Sequence, residues 1–170
     1  MYRCLFWLSE GNWEGWSEIL KKEKIPYKEI DPGVREIIRK MNKLDFIETM
    51  FSCAGHPVKE IKSKKEEMYH FAELYIMFKS NDELRLFDFM YDLTKDFYVK
   101  NESSIRISKH YDLDGSLGLG SLPRTYWLLN VTVTQNKKED VERILKIVQM
   151  NILASVERMV KKYCLKQVKK

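Results

Sequence analysis

The chain has 170 residues, of which 44% are hydrophobic and 12% aromatic, so it can bury a core and is not a disordered protein. No apolar run approaches the ~18–20 residues of a membrane-spanning helix, and three cysteines are too few for a disulfide framework or a zinc ribbon. We therefore expect one α+β domain over residues 1–170 of a soluble, reduced, cytoplasmic protein with no membrane partner.

The net charge of +5 comes from the C-terminal end, because residues 161–170 hold five lysines and no acid. Two interpretations stay open. Lysines at the C-terminal end of a helix are favoured by the helix dipole alone. Clustered positive charge also attracts polyanions, so an RNA partner could be contacted here.

The N-terminal part of the chain predicts two helices. Residues 13–24 have tryptophans and aliphatic residues on one side and lysines at the end, and Pro26 stops this helix. Asp31 suits the N-cap of the second helix, and Pro32 suits its first position, where a missing N–H costs nothing. The apolar residues of the second helix recur with helical spacing: Val34, Ile37, Ile38 and Met41.

Four segments alternate as strands do, at 46–53, 74–79, 104–111 and 126–134, and residues 3–8 are a candidate fifth strand. In the first strand, alternation places Ile47, Thr49, Phe51 and Cys53 on one face. The charged stretch 58–70 predicts a solvated loop or a frayed helix.

Two more helices complete the pattern. Ser80 and Glu83 form a capping box that opens a helix to about residue 98. Asn136 and Glu139 suit the first turn of a long closing helix that ends near residue 165. The predicted core stripes are Leu84, Phe87, Met90 or Tyr91, and Phe97 in the first of these helices, and Val141, Leu145, Val148, Ile152, Val156, Met159 and Tyr163 in the second.

Because strands follow one another in runs rather than alternating strictly with helices, the order favours an α+β fold. We expect a single mixed or antiparallel sheet of four to five strands, with helices packed on it and a long C-terminal helix.

The end of the first predicted strand is the best candidate site. Ser52, Cys53 and His56 gather there, and Gly55 permits a tight turn. An imidazole serves as acid or base near pH 7 and can activate a neighbouring thiol. We therefore predict catalytic roles for His56, Cys53 and Ser52, and a ligand-binding role for Gly55. The alternative is a buried structural cysteine, with Ser52 and His56 bonded within the turn.

A glycine-rich stretch at 112–123 separates the last two strands. Its glycines lack the spacing of a dinucleotide fingerprint, and no Walker lysine follows, so it predicts a hairpin loop or a mobile lid. Arg124 offers an anion-binding fork, and His110 lies on the polar face of its strand. We predict both as further ligand-binding residues. No metal site is expected, because the sequence has no H-x-x-x-H or C-x-x-C.

A longer pattern runs through residues 31–56: Asp31-Pro32-Gly33-Val34, Ile37, Asn42, Thr49 and Ser52-Cys53-Ala54-Gly55-His56. It resembles the wybutosine-synthesis methyltransferases, which are tRNA-modifying proteins with an S-S-C-S-G-R-type segment, and prokaryotic proteins with an S-C-x-G-H segment. The resemblance implies S-adenosylmethionine as cofactor and tRNA as substrate, with Ser52, Cys53 and Gly55 at matching positions. Phe51, Ala54 and His56 stand where that family has Ser, Ser and Arg.

Two classes of function follow. One is a protein that binds a small anionic or nucleotide-like ligand at the 52–56 turn and, on the resemblance, an RNA-modifying methyltransferase-like protein. The other is a non-catalytic binding or assembly protein, such as a homo-oligomer, in which the stripe of the long C-terminal helix packs against another chain.

Overall fold

The computed structural model describes residues 27–55, 58–62, 68–95, 103–112 and 124–164. The predicted helix at 13–24, the candidate strand at 3–8, most of the glycine-rich stretch and residues 165–170 lie outside these ranges. The described elements are, in chain order, α1 (Pro32–Met41), β1 (Ile47–Ala54), β2 (Lys59–Lys62), β3 (Met68–Ser80), α2 (Glu83–Lys95), β4 (Ser103–Asp112), β5 (Arg124–Gln135) and α3 (Lys138–Cys164).

The five strands form one antiparallel sheet in the order β1-β3-β5-β4, and β2 also pairs with β3. β5 occupies one side of β3. The other side pairs with β1 along residues 74–80 and with β2 along residues 68–71, so β1 and β2 lie end to end. The predicted α+β class, with an antiparallel sheet and a long C-terminal helix, is confirmed.

The prediction of a loop or frayed helix over 58–70 is wrong for residues 59–62, which form β2, and for 68–70, which begin β3; residues 63–67 lie outside the described ranges. Charged side chains are tolerated on a strand at the edge of a sheet, where one side of the strand meets solvent. Lys59 and Glu60 of β2 are both exposed and fit that position.

The helices pack on one face of the sheet, with α3 in the middle. α1 contacts β1 and α3, α2 contacts α3, and α3 crosses β3 and β5. The predicted stripe of α3 is confirmed as core, with Tyr163 at its end partly buried. The buried residues that meet between helix and sheet include Val141, Leu145, Val148, Ile152, Val156 and Met159 of α3, Leu74, Ile76 and Phe78 of β3, and Leu129, Val131 and Val133 of β5.

The start of α1 follows its sequence. Asp31 is the N-cap, and its carboxylate accepts a hydrogen bond from the Gly33 N–H at 2.9 Å. Pro32 occupies the first position. The four predicted core residues, Val34, Ile37, Ile38 and Met41, are all buried.

The predicted core face of α2 is wrong. Leu84, Phe87 and Tyr91 are exposed, and the buried residues are Leu86, Phe89 and Leu93. Of the predicted stripe only Met90 packs partly buried against the core, and Phe97 lies outside the described residues. The helix carries two apolar stripes, and helical spacing alone fits both of them. The orientation is set by polar contacts to α3. Asp88 accepts hydrogen bonds from Lys162 and Tyr163, and Asp92 accepts one from Arg158.

The N-cap of α2 also differs from the predicted capping box. The Asp82 carboxylate, rather than the Ser80 hydroxyl, accepts a hydrogen bond from the Arg85 N–H at 3.0 Å. Ser80 instead bonds to the backbone of Asp82. The helix still begins at Glu83, so the predicted start holds even though its capping residue changes.

A bulge in β1 reverses the predicted faces of its second half. Thr49 pairs with Phe78, but Phe51 pairs with Met77, so Met50 is an extra residue in the ladder. Ile47 and Thr49 face the helices as expected, whereas Phe51 and Cys53 lie on the opposite face. Simple alternation does not reveal such an insertion.

We predict that Asn42→Ala destabilises the fold by about 1–3 kcal/mol, the usual effect of leaving buried partners unpaired. Asn42 is buried, its Nδ2 donates to Thr49 Oγ1 at 2.7 Å, and its Oδ1 accepts from the Thr49 N–H at 3.0 Å. Urea unfolding measures the change. Asn81→Ala, at an exposed position, is the control and should change the free energy of unfolding little.

We predict that the stabilising contribution of Tyr163 is lost at alkaline pH. Burial, together with the hydrogen bond to Asp88, raises the pKa of Tyr163 from 10.0 to about 12. A raised pKa in the folded state stabilises the protein below pH 10, and this contribution disappears as the pH rises through about 12. The difference in unfolding free energy between wild type and Tyr163→Phe should therefore shrink between these pH values. A constant difference would contradict the assignment.

Candidate functional site

The edge strand made of β1 and β2 is interrupted by residues 55–58, which we call the β1–β2 break. Ala54 pairs with Leu74, and the ladder resumes with Lys59 opposite Phe71. Between these two pairs the edge has four residues, 55–58, whereas β3 has two, Ala72 and Glu73. The pairing with β3 is therefore not in one continuous register across the two strands.

Gly55 opens the break in a conformation that favours glycine, with φ at 94°. It is also covered by α3, because a Cβ atom here would lie 2.9 Å from Cδ2 of Leu145. Positive φ and close packing thus require a glycine at the same position. The first role of Gly55 is to let the edge strand turn beneath α3.

The start of α1 and the middle of α3 hold the end of β1. The Gln149 amide Nε2 donates to the Ala54 carbonyl at 3.2 Å. A Cβ atom on Gly33 would lie 2.8 Å from that same Nε2. The N–H groups of Gly33, Val34 and Arg35 all bond to Asp31, so these donors are already occupied and the start of α1 does not offer them to an anion.

A histidine and a glutamate lie just beyond the break. His70 of β3 pairs with Glu60 of β2, and it shares the helix-covered face with Ala72. The His70 side chain is 18% exposed, and its Nδ1 lies 3.9 Å from Glu60 Oε1, too far for a hydrogen bond. This Nδ1 is buried and has no hydrogen-bond partner among the described residues.

Neither His70 nor Glu60 is a predicted site residue, because both fall in the stretch 58–70 that predicts a loop or frayed helix. A buried polar atom without a hydrogen-bond partner lowers the stability of the fold by roughly 1–3 kcal/mol. Such atoms are rare in proteins, and a bound ligand or water is one common reason for them. If the charged stretch is interpreted as an edge strand paired with the next strand, Glu60 is expected to lie beside His70.

The predicted catalytic residues separate onto two faces of the sheet. Ser52 pairs with Ile76 and lies on the helix-covered face, whereas Cys53 pairs with Tyr75, lies on the other face and is 6% exposed. His56 lies outside the described residues, so its contact with Cys53 stays a prediction. Of the predicted set, Ser52 and Gly55 share the helix-covered face with His70, but Ser52 is opposite Ile76, six residues or about 20 Å along β3 from His70, so only Gly55 lies close to that histidine.

The two further residues predicted to bind ligand, His110 and Arg124, lie on β4 and β5 rather than near the end of β1. His110 lies on β4, which is three strand spacings of about 4.8 Å, or about 14 Å, from β1. Its Nε2 is 2.7 Å from Ser108 Oγ, and its ring stacks on Tyr126. Arg124 begins β5 opposite Asp112, and its side chain is outside the described part. The structure does not bring His110 to Ser52.

A concave site lies elsewhere in the molecule, where α1 and α3 end. It has a volume of about 280 Å³ and is lined by Lys40, Lys43, Glu157, Val160, Lys161 and Cys164. Glu157 binds Lys40 at 2.7 Å, and this hydrogen bond raises the lysine pKa. Because two helix C-termini meet here, lysines are favoured by both helix dipoles.

Comparison with protein-family models, with curated proteins and with solved structures finds no match to this chain. None of the described helices combines the length and apolar character that a membrane span requires. Within the same residues, no three His, Cys, Asp or Glu side chains are grouped so that they could hold a metal ion.

We predict that Gly55→Ala lowers the free energy of unfolding by about 1–3 kcal/mol, because it adds backbone strain to a clash with Leu145. Gly33→Ala is the matched comparison. Its added methyl group meets the flexible end of Gln149 and the Ala54 Cβ, at a position without positive φ, so we expect a smaller loss. Urea unfolding of both variants measures the two losses in unfolding free energy. A larger loss for Gly33→Ala than for Gly55→Ala would contradict the close packing of Gly55 against α3.

Proposed function

We propose that the β1–β2 break binds a small, nucleotide-like ligand and that His70 forms a hydrogen bond to it. The observation that carries the proposal is the buried Nδ1 of His70, which has no hydrogen-bond partner among the described residues. A ligand atom that bonded to this nitrogen would remove the cost of leaving it unpaired.

The charges around the break favour one of the predicted ligand classes. Asp31 already occupies the N–H groups at the start of α1, so these donors are not free for an anion. Glu60 places a carboxylate beside His70, which disfavours an anion at that histidine. A neutral heterocycle or a positively charged group, both of which occur in nucleoside-like molecules, is the better match.

The resemblance to methyltransferases fits the same charges, because the sulfonium of S-adenosylmethionine is positive. That cofactor supplies the methyl group when it is bound. On this hypothesis the chain aligns donor and acceptor, and His70 or His56 accepts the proton that the acceptor releases. Gly55 lies near His70 on the same face, whereas Ser52 is about 20 Å away along β3 and Cys53 faces the other side of the sheet, so neither takes part in the site beside His70.

The alternative function is assembly with another chain through the apolar stripe of α3, but this stripe is already used within the same chain. Its predicted residues are buried or partly buried within the core of the same chain. Any partner of α3 would meet its other side, where Met150 is exposed.

His70→Leu tests the proposed function. We expect binding of adenosine or S-adenosylmethionine, measured by calorimetry, to weaken about tenfold for the loss of one hydrogen bond. The free energy of unfolding should stay equal or rise, because the substitution removes a buried unpaired group. A purely structural histidine would instead lose stability when replaced.

His110→Leu is the matched control, since this histidine lies on β4 at the opposite edge of the sheet. It should bind both probes as the wild type does. Equal affinities of the wild type and His70→Leu, or no binding of either probe to the wild type, would refute the proposal.

A further inference from the structure

The pairing of β2 with β3 places two hydrogen-bonding groups side by side, just beyond the β1–β2 break. Glu60 is directly opposite His70, so both side chains leave the sheet on the same face. The Glu60 Oε1 atom lies 3.9 Å from the His70 Nδ1 atom. This distance is too long for a hydrogen bond between the two atoms, and it is short enough for a third atom to bond to both.

The two groups lie at the boundary between the interior and the solvent. The side chain of His70 is 18% exposed and that of Glu60 is 63% exposed, while the His70 Nδ1 atom itself is buried. Exposed side chains change rotamer within nanoseconds, so the carboxylate can move to admit a ligand. Because β2 is the outer of the two strands, a ligand that arrives at this edge of the sheet meets Glu60 before His70.

The charge of the Glu60 carboxylate is not neutralised by a lysine or arginine of the described residues. The neighbouring lysine, Lys59, faces the other side of the sheet, where its Nζ lies 5.7 Å from the centre of the Phe71 ring. On the other side of His70, the opposite residue of β5 is the uncharged Gln135. A group between Glu60 and His70 therefore meets an unshared carboxylate, which favours a hydrogen-bond donor over an anion.

The chemistry of the two atoms favours a donor with two N–H bonds. An ionised carboxylate only accepts hydrogen bonds, and a neutral imidazole accepts at Nδ1 when its proton is on Nε2. A nitrogen about 2.9 Å from each of two acceptors that are 3.9 Å apart makes two bonds about 85° apart. An amino group fits this angle with modest bending of both bonds, whereas a ring N–H or a hydroxyl has one proton and serves one acceptor only.

We propose that one amino group of the ligand donates hydrogen bonds to both Glu60 and His70, with the imidazole proton on Nε2. In a nucleoside this group is the exocyclic amine of the base, as in adenosine. Glu60 then determines which nucleoside-like ligands bind, because a ligand without the amine leaves the carboxylate and the imidazole nitrogen unpaired. The inference rests on the proposed function, since it requires a ligand at the His70 Nδ1.

The test combines a change in the ligand with a change in the protein. Adenosine and purine riboside differ only in the amino group of the base, and calorimetry measures the affinity of each for the full chain. The wild type should bind adenosine about 100-fold more tightly, because purine riboside loses two hydrogen bonds of about tenfold each. Glu60→Ala should weaken adenosine binding about tenfold and leave purine riboside binding unchanged, which isolates the contact between this residue and the amine.

Glu73→Ala is the matched control. Glu73 is an exposed glutamate of β3 on the opposite face of the sheet, so this variant loses the same charge and should bind both nucleosides as the wild type does. Equal affinities of the wild type for the two nucleosides would overturn the inference, as would equal effects of Glu60→Ala and Glu73→Ala on adenosine binding.

The results also separate this inference from the proposed function. If His70→Leu weakens adenosine binding but the wild type binds purine riboside equally well, the ligand site stands and the shared amino group is wrong. If neither adenosine nor S-adenosylmethionine binds to the wild type, both proposals fail. Glu60 is exposed, so Glu60→Ala should fold, and the comparison of the two nucleosides on the wild type needs no variant.

Discussion

The close approach of α3 to the edge strand is the constraint on which the rest of the structure depends. Leu145 lies where a side chain on Gly55 would stand, and Gly55 adopts a positive φ. The strand therefore breaks at this point and resumes as β2 on the same side of β3. The break brings Glu60 beside His70 and leaves the His70 Nδ1 buried without a hydrogen-bond partner in the described chain.

The contacts of α3 also account for the different character of the two edges of the sheet. α3 is held to α1 by Lys40 and Glu157, and to α2 through Asp88 and Asp92. These polar contacts fix the rotation of α2, so that its second apolar stripe points outward beside β4. The β1 edge thus carries a polar, irregular strand, and the β4 edge carries a regular strand with an apolar helix above it.

The start of α1 could be predicted from Asp31 and Pro32, which mark the first turn of a helix. The buried faces of α1 and α3 could be predicted because each helix has a single row of apolar residues. α2 has two such rows, and the choice between them depends on ion pairs with α3 that local sequence does not show. The extra residue in β1 and the pairing of Glu60 with His70 arise from contacts between distant segments. The end of β1 and the glycine that follows it could be located from sequence, whereas the pairing of Glu60 with His70 could not; the site predicted at 52–56 stays a prediction.

The central claim is that the His70 Nδ1 is a ligand-binding group, and the most direct test is the NMR spectrum of the histidine ring nitrogens. On addition of adenosine or S-adenosylmethionine, the account predicts that the His70 Nδ1 resonance shifts, while the resonances of His110 stay in place. A His70 Nδ1 resonance that shows a hydrogen bond in the protein alone, and that neither molecule moves, would contradict it.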